Sequence, residues 1–128
     1  MTEQQLKYKE WFFQSDYDLE TAQQMLQSGR NIYCIFMCHL SLEKALKGLY
    51  IKKFNEIPPK LHALMYFVKK IQLALLDENL LFIKKLDNLS IVTRYPEDLR
   101  AMITLYTPKQ TTDIYEQTKT IQQWLKQQ

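Results

Sequence analysis

Apolar side chains recur about every 3.6 residues along most of the chain, which is the spacing of amphipathic α-helices. The spacing predicts a first helix from about Thr2 to Ser28 and a second from Asn31, its expected N-cap, to about Phe54. Gly29, between the two, can adopt the left-handed conformation that ends a helix. The first half of the chain is therefore predicted to form two long helices.

The second half of the chain is divided by its prolines. The tandem prolines within Asn55–Lys60 predict a connector, because a proline ring cannot continue a helix. A third helix is expected over about Leu61–Leu76. A fourth is expected to begin near Asp77, a plausible N-cap, and to end at Tyr95, because the residue before a proline is disfavoured in the helical conformation.

Residues 97–106 show no clear period and predict an ordered but irregular crossing. Thr107 and Pro108 then have the sequence of a cap followed by proline at the first position of a last helix. With the other segments, this predicts an all-α fold of four long helices plus one shorter helix. The length of 128 residues, without a long linker or an internal repeat, predicts a single domain over residues 1–128.

The second predicted helix is apolar over most of its circumference. One face holds Ile32, Ile35, Phe36, Leu42, Leu46, Leu49 and Tyr50, and a second holds Tyr33, Met37, Leu40 and Ile51. Small side chains, which let another backbone come close, form a stripe of Cys34, Cys38, Ser41, Ala45 and Gly48. Such a helix is either the centre of a bundle or shared with a second subunit. We expect a homodimer, because one helix in so small a bundle cannot easily bury two apolar faces; which face dimerises stays open.

Composition and charge exclude some classes of function. With two glycines, the chain is not expected to form a glycine-rich phosphate loop, and a net charge of +3 is too small to indicate nucleic-acid binding by itself. Cys34 and Cys38 lie one helical turn apart, where a disulfide is awkward, so both are expected to be reduced. The longest apolar stretch, Ile32–Leu42, is too short to span a bilayer and no leader precedes it, so the expected location is the cytoplasm.

His39 and Glu43 lie one turn apart on the second helix, and Lys47 follows one turn later. An imidazole and a carboxylate at this spacing can form a hydrogen bond. The pair is either a satisfied polar contact inside a bundle or part of a ligand groove. Cys34, Cys38, His39 and His62 are residue types that bind metals. Their spacing matches no zinc motif, however, so we expect no metal.

Charge is unevenly distributed. Lys44–Lys70 holds seven lysines and one acid, a local excess of six positive charges, whereas residues 1–28 have an excess of three negative charges. The two segments can complement each other within or between subunits, or leave a basic edge for phosphate. We favour a solvated face for the lysines.

Arg94 and Tyr95, followed by Pro96 and shortly by Arg100, lie at a predicted break between helices. A guanidinium binds phosphate or carboxylate with two hydrogen bonds, and a tyrosine ring can stack on a base. The alternative is that Arg94 complements the C-terminal end of its helix. Together with the polar row of the second helix, these residues make up a predicted ligand-binding site: His39, Glu43, Lys47, Arg94 and Tyr95.

Several of these segments in combination resemble the HEPN domain, a small helical-bundle family often encoded beside a minimal nucleotidyltransferase. The similarity is carried by Trp11–Leu26, Cys38–Lys47, Pro58 with Leu61–Leu64, Arg94–Pro96, and Tyr106 with Thr107. It implies an up-and-down antiparallel bundle that dimerises, a connection to nucleotides or RNA, and a nucleotidyltransferase partner in a toxin–antitoxin-like pair.

The resemblance also bears on catalysis. Catalytic HEPN proteins are metal-independent ribonucleases with an arginine followed four to six residues later by a histidine. Here Arg30 precedes His39 by nine positions, and no histidine follows Arg94 or Arg100. We therefore expect a non-catalytic binding module with no catalytic residue and no cofactor. The alternative is a ribonuclease that pairs His39 or His62 with Arg94.

Overall fold

The computed structural model of the protein describes residues 3–92 and 96–128. Over these residues the secondary structure is helical, without a strand, so the all-α prediction is confirmed. The helices in chain order are α1 (Glu3–Gln27), α2 (Asn31–Phe54), α3 (Leu64–Ile71), α4 (Asp77–Val92), α5 (Pro96–Leu105) and α6 (Pro108–Lys126). None of these helices is long and apolar enough to cross a membrane.

Helix α2 lies at the centre and is contacted by each of the other five described helices. Helix α1 packs against it in the antiparallel direction, since Ser15 lies beside Ser41 and Phe12 beside Gly48. Helix α6 runs parallel to α2, because both begin near the Asn31–Tyr106 hydrogen bond and both end at one cleft. The first turn of α4 lies against the last turns of α6, so α4 is antiparallel to α2. The four long helices α1, α2, α4 and α6 therefore alternate in direction along the chain, as an up-and-down bundle requires.

The third helix is shorter than the sequence predicts and does not run antiparallel to α2. Residues 55–63 form a return loop, and α3 covers only Leu64–Ile71. It runs parallel to the second half of α2, because His62 before it contacts Glu43 and its last carbonyl, that of Ile71, accepts a hydrogen bond from Lys53. The helix begins where Asp87 of α4 accepts its first amide hydrogens, a tertiary contact that no local pattern shows.

The segment predicted as an irregular crossing forms the short helix α5 instead. The prediction of one shorter helix was therefore wrong, because α3 and α5 are both short, with 8 and 10 residues. Apolar side chains at helical spacing explain α5, because Met102 is buried and Leu99 packs against the core. Helix α4 is seen as far as Val92, and its predicted end at Tyr95 lies outside the described residues.

The three predicted N-caps fare differently. Asp77 is the first residue of α4, so that helix begins where the sequence predicts. Thr107 caps α6 as predicted, with its hydroxyl accepting from the Gln110 amide at 3.1 Å and the Gln110 side chain accepting in return from the Thr107 amide. The prediction of Asn31 as the cap of α2 was wrong, since Arg30 holds that position. Asn31 instead donates from its side chain to the carbonyl of Tyr106, which ties the start of α2 to the segment before α6.

Burial of α2 by the rest of the chain confirms its role as the central helix. Its stripe of small residues receives α1: Ser15 and Ser41 bond to each other's carbonyls, and a Cβ on Gly48 would lie 2.6 Å from the Phe12 ring. The second apolar face is only partly covered. Ile51 is buried, whereas Tyr33 is half exposed, and Met37 and Leu40 are partly exposed. The prediction of a homodimer now rests on this open part of α2.

Candidate functional site

A cluster of charged and polar side chains lies inside the bundle beside the middle of α2. His39, Glu43 and Lys47 occupy successive turns of α2 and are all buried. Two further residues complete the cluster, Asp87 from α4 and His62 from the loop before α3. Since buried charges are costly unless they are paired, the contacts within the cluster decide what each group can do.

His39 is bound to α4. Its Nε2 lies 2.9 Å from Oδ1 of Asp87, and the same carboxylate accepts the backbone amides of Leu64 at 2.8 Å and Met65 at 3.0 Å. The side chain of His39 is only 2% exposed. Nδ1 of His39 lies 4.0 Å from Glu43, too far for the hydrogen bond that the sequence suggested. The His39–Asp87 pair therefore joins α2, α3 and α4.

The three hydrogen bonds determine the charge of Asp87. Burial raises the pKa of this carboxyl, but the bonds from His39, Leu64 and Met65 outweigh burial and hold the pKa below the ordinary aspartate value of 3.8. A carboxylate at the start of α3 is also favoured by the positive end of the helix dipole. Asp87 is therefore an ionised N-terminal anchor of α3.

Glu43 has hydrogen-bond partners on two sides. Lys47 donates to its Oε2 at 3.1 Å, and Nδ1 of His62 lies 3.2 Å and 3.3 Å from its two oxygens. The ammonium group of Lys47 also lies 5.7 Å from the Trp11 ring centroid and 5.9 Å from that of Phe67. The buried carboxylate and the buried lysine thus form one satisfied ion pair, held between α1 and α3.

His62 connects this cluster with solvent. Its side chain is 64% exposed, while that of Glu43 is 5% exposed. Nδ1 of His62 faces the carboxylate and donates to it, and Nε2 has no hydrogen-bond partner in the described part of the chain. His62 is therefore the histidine that a ligand or a partner can reach.

The structure brings together three of the five predicted site residues, namely His39, Glu43 and Lys47. Arg94 and Tyr95 lie outside the described residues, so their part in the site stays a prediction.

Sequence reasoning missed the contribution of Asp87, and it considered His62 only as a metal ligand or a ribonuclease residue. A signal for Asp87 was present, because it lies among the inner positions Ile83, Leu86 and Ser90 of α4.

Among the described residues, no group of three His, Cys, Asp or Glu side chains is arranged so that it could hold a metal ion. Cys34 and Cys38 are free and buried. The acidic first helix and the basic middle segment, whose complementarity was one of the alternatives, make an ion pair within the chain between Lys44 of α2 and Asp18 of α1, at 2.8 Å. A lysine outside that segment, Lys126 of α6, also pairs with α1, at 2.6 Å from Asp16.

The sequence model of the HEPN domain matches residues 8–128, which is nearly the whole chain. The protein belongs to the HEPN domain family. A solved structure with the same fold is TT1696 from Thermus thermophilus, which superposes with a TM-score of 0.81 at 21% sequence identity. The alignment covers 94% of this HEPN domain and 97% of that chain. No curated protein matches the sequence.

Proposed function

We propose that this HEPN domain is a non-catalytic module, formed by residues 1–128, that binds a nucleotide or a protein partner. We further propose that it acts with a minimal nucleotidyltransferase as a toxin–antitoxin-like pair in the cytoplasm. Membership of a nucleotide- and RNA-related family supports a ligand or partner of this kind. The absence of a histidine four to six residues after any arginine speaks against the ribonuclease activity of the family's catalytic members.

The burial of His39 carries this proposal. An acid–base histidine must reach the atom whose proton it moves. The imidazole of His39 is inside the bundle, and its Nε2 is bound to an aspartate that holds the start of α3. A histidine in this place stabilises the fold and orients neighbouring groups instead of contacting a substrate.

The site that we propose for binding includes the exposed ring of His62, with Glu43 and Lys47 behind it. Arg94 and Tyr95 lie outside the described residues, and we assign them to this site from the sequence alone. A guanidinium, a tyrosine ring and an imidazole suit a phosphate-bearing base. The partly exposed apolar face of α2 around Met37 suits a protein helix.

The proposal is tested with Arg94→Ala and the matched variant Arg100→Ala, which removes an exposed arginine from α5. Each protein is titrated with ATP and AMP by calorimetry, and tagged protein is recovered from its native host to identify co-purified proteins and nucleotides. Arg94→Ala is expected to weaken nucleotide or partner binding at unchanged melting temperature, while Arg100→Ala binds as the wild type does. If Arg94→Ala lowers only the melting temperature, the residue is structural and this assignment of the site is wrong.

A second candidate function is a metal-independent ribonuclease with a non-standard site. The exposed ring of His62, with Nδ1 against Glu43 and Nε2 without a partner among the described residues, favours it. A neutral imidazole oriented by a carboxylate can accept a proton from a ribose hydroxyl. RNA cleavage that persists in a chelator and disappears in His62→Gln would establish this function in place of the first.

A further inference from the structure

Two lysine pairs that are distant in the sequence meet at one end of the bundle. Lys52 and Lys53 lie in the last turn of α2, and Lys69 and Lys70 lie in the last turn of α3. Because α3 runs parallel to the second half of α2, both last turns are at the same end. Lys53 and Lys70 lie over one ring, that of Phe54, at 5.6 Å and 5.9 Å from its centroid. We call Lys52, Lys53, Lys69 and Lys70 the basic end.

The charge of the basic end is not neutralised by carboxylates of the described residues. Lys44 and Lys47, the other lysines of α2, each pair with an acid, but no carboxylate seen in the structure lies within 4.0 Å of the four lysines. Glu56, which follows in the sequence, accepts from the hydroxyl of Tyr50. The C-terminal ends of α2 and α3 each contribute about half a negative charge. One lysine, Lys53, already binds the last carbonyl of α3. Three lysines remain available to an anion.

Aromatic rings and an apolar cleft accompany these lysines. Lys52 lies 5.0 Å from the ring centroid of Tyr8, and Tyr8 and Phe54 are both partly exposed. A cleft of about 270 Å³ is lined by Leu49, Ile71 and Leu73 together with Lys52, Lys53 and Gln128. Cations beside stackable rings are what proteins use to hold single-stranded nucleic acids, whose phosphates bind the cations and whose bases stack.

We propose that the basic end is a binding surface for single-stranded nucleic acid, separate from the His39–His62 cluster. An acidic protein or an anionic membrane would use the lysines alone, whereas a single strand uses the rings as well. The surface is independent of the proposed function, because it shares no residue with the site tested by Arg94→Ala.

The test measures fluorescence anisotropy of a labelled oligouridine of about 12 nucleotides, titrated with the full chain at several salt concentrations. The variant Lys52→Gln/Lys69→Gln/Lys70→Gln leaves Lys53 in place, because Lys53 binds the end of α3. The matched control Lys84→Gln/Lys85→Gln/Lys119→Gln removes the same charge from α4 and α6. Circular dichroism and melting temperature verify that both variants fold.

Wild type and control are expected to bind with the same salt dependence. In the basic-end variant, the slope of log affinity against log salt should fall by about 2, since each lost contact with a single strand contributes about 0.7. Phe54→Leu should weaken binding at least about fivefold at an unchanged slope, because a stacking ring is lost while the charges remain.

Equal slopes for the two triple variants, or no binding of the oligouridine by the wild type, would overturn the proposal. It would also be wrong if Phe54→Leu binds RNA as tightly as the wild type. Vesicles containing an anionic lipid are measured in parallel. Binding to vesicles that depends on the three lysines, without binding to RNA, would identify a membrane surface instead.

Discussion

At the scale of single residues, the interior of this HEPN domain is organised by Asp87. One carboxylate accepts hydrogen bonds from His39 and from the first two amides of α3. An uncapped helix start inside a protein leaves amide groups unsatisfied, and an unpaired buried imidazole is also costly. Asp87 removes both costs with one side chain, and it thereby fixes where α3 begins.

Replacement of Asp87 by asparagine tests this role. The amide oxygen of asparagine can keep at most the two hydrogen bonds that Oδ1 accepts, from His39 and Leu64, and the NH₂ group then faces the amide of Met65. We expect Asp87→Asn to lower the free energy of unfolding by about 1–3 kcal/mol. The control Asp113→Asn, at an exposed site on α6, should change it by less than about 0.5 kcal/mol. Urea unfolding of the three proteins measures the difference, and equal loss in both variants would contradict the assigned role.

The same substitution has an expected dependence on pH. Since the pKa of Asp87 is lowered in the folded protein, ionised Asp87 stabilises the fold fully above the ordinary value of 3.8. This contribution is lost as the pH falls through the folded value. Asparagine does not titrate, so the stability difference between wild type and Asp87→Asn should shrink as the pH is lowered below 3.8. A difference that stays constant down to the acid transition would show that the ionised carboxylate is not the stabilising form.

At the scale of helices, the ends differ in what determines them. The start of α6 is local, because Thr107 and Gln110 satisfy each other's amides and Pro108 has its φ preset for the first helical turn. The start of α3 depends on a side chain that is 23 residues further along. Local ends are therefore visible in the sequence, whereas ends held by tertiary contacts are not.

Thr107→Ala removes the cap of α6 and should destabilise the protein by about 1 kcal/mol. Thr112→Ala is the matched control on the same helix, because the hydroxyl of Thr112 only bonds the carbonyl of Pro108 one turn earlier. It should be neutral or slightly stabilising, since alanine is the better helix former. Thermal unfolding compares the two variants. A melting temperature that is the same for both would mean that the cap contributes nothing to stability.

At the scale of the whole molecule, α2 serves as the common core of the other helices. Most of its surface is covered within one chain, and the part around Tyr33, Met37 and Leu40 is not. An apolar face left open on the central helix is the feature of this fold that favours association with a second copy or with a partner protein.

We predict a homodimer that uses this open face. Met37→Glu places a charge on it and is expected to convert the dimer to a monomer of 15.4 kDa. Leu81→Glu, at a strongly exposed position of α4, is the control and should leave the mass unchanged. Sedimentation equilibrium distinguishes the two. A wild-type protein that stays monomeric at every concentration would refute the prediction.

We also predict that the isolated protein does not cleave RNA in the presence of a chelator. Two observations support this prediction. The imidazole of His39 is hydrogen-bonded to Asp87, and no arginine in the sequence is followed by a histidine at the ribonuclease spacing. The measurement is gel analysis of a mixed RNA substrate incubated with wild type, His39→Ala and His62→Ala. Cleavage by the wild type that is lost in either variant would show that this prediction is wrong.

The sequence determined much of this protein by itself. The 3.6-residue period predicted the long helices, the tandem prolines predicted the connector, and Thr107 with Pro108 predicted the start of α6. All three signals are local, so they can be recognised without knowing which segments meet. The apolar circumference of the second helix likewise indicated a central position, although it did not distinguish neighbours within the chain from a second subunit.

Only the tertiary structure decided the parts that depend on contacts between distant segments. Helix α3 is short because Asp87 fixes its start and Gln72 ends it in the left-handed conformation. Helix α5 is helical because Met102 and Leu99 pack on the core. His39 likewise has Asp87 as its partner instead of Glu43, because the fold brings α4 beside this face of α2. Sequence spacing shows which side chains share a helix face, whereas the return of the chain decides which other element meets that face.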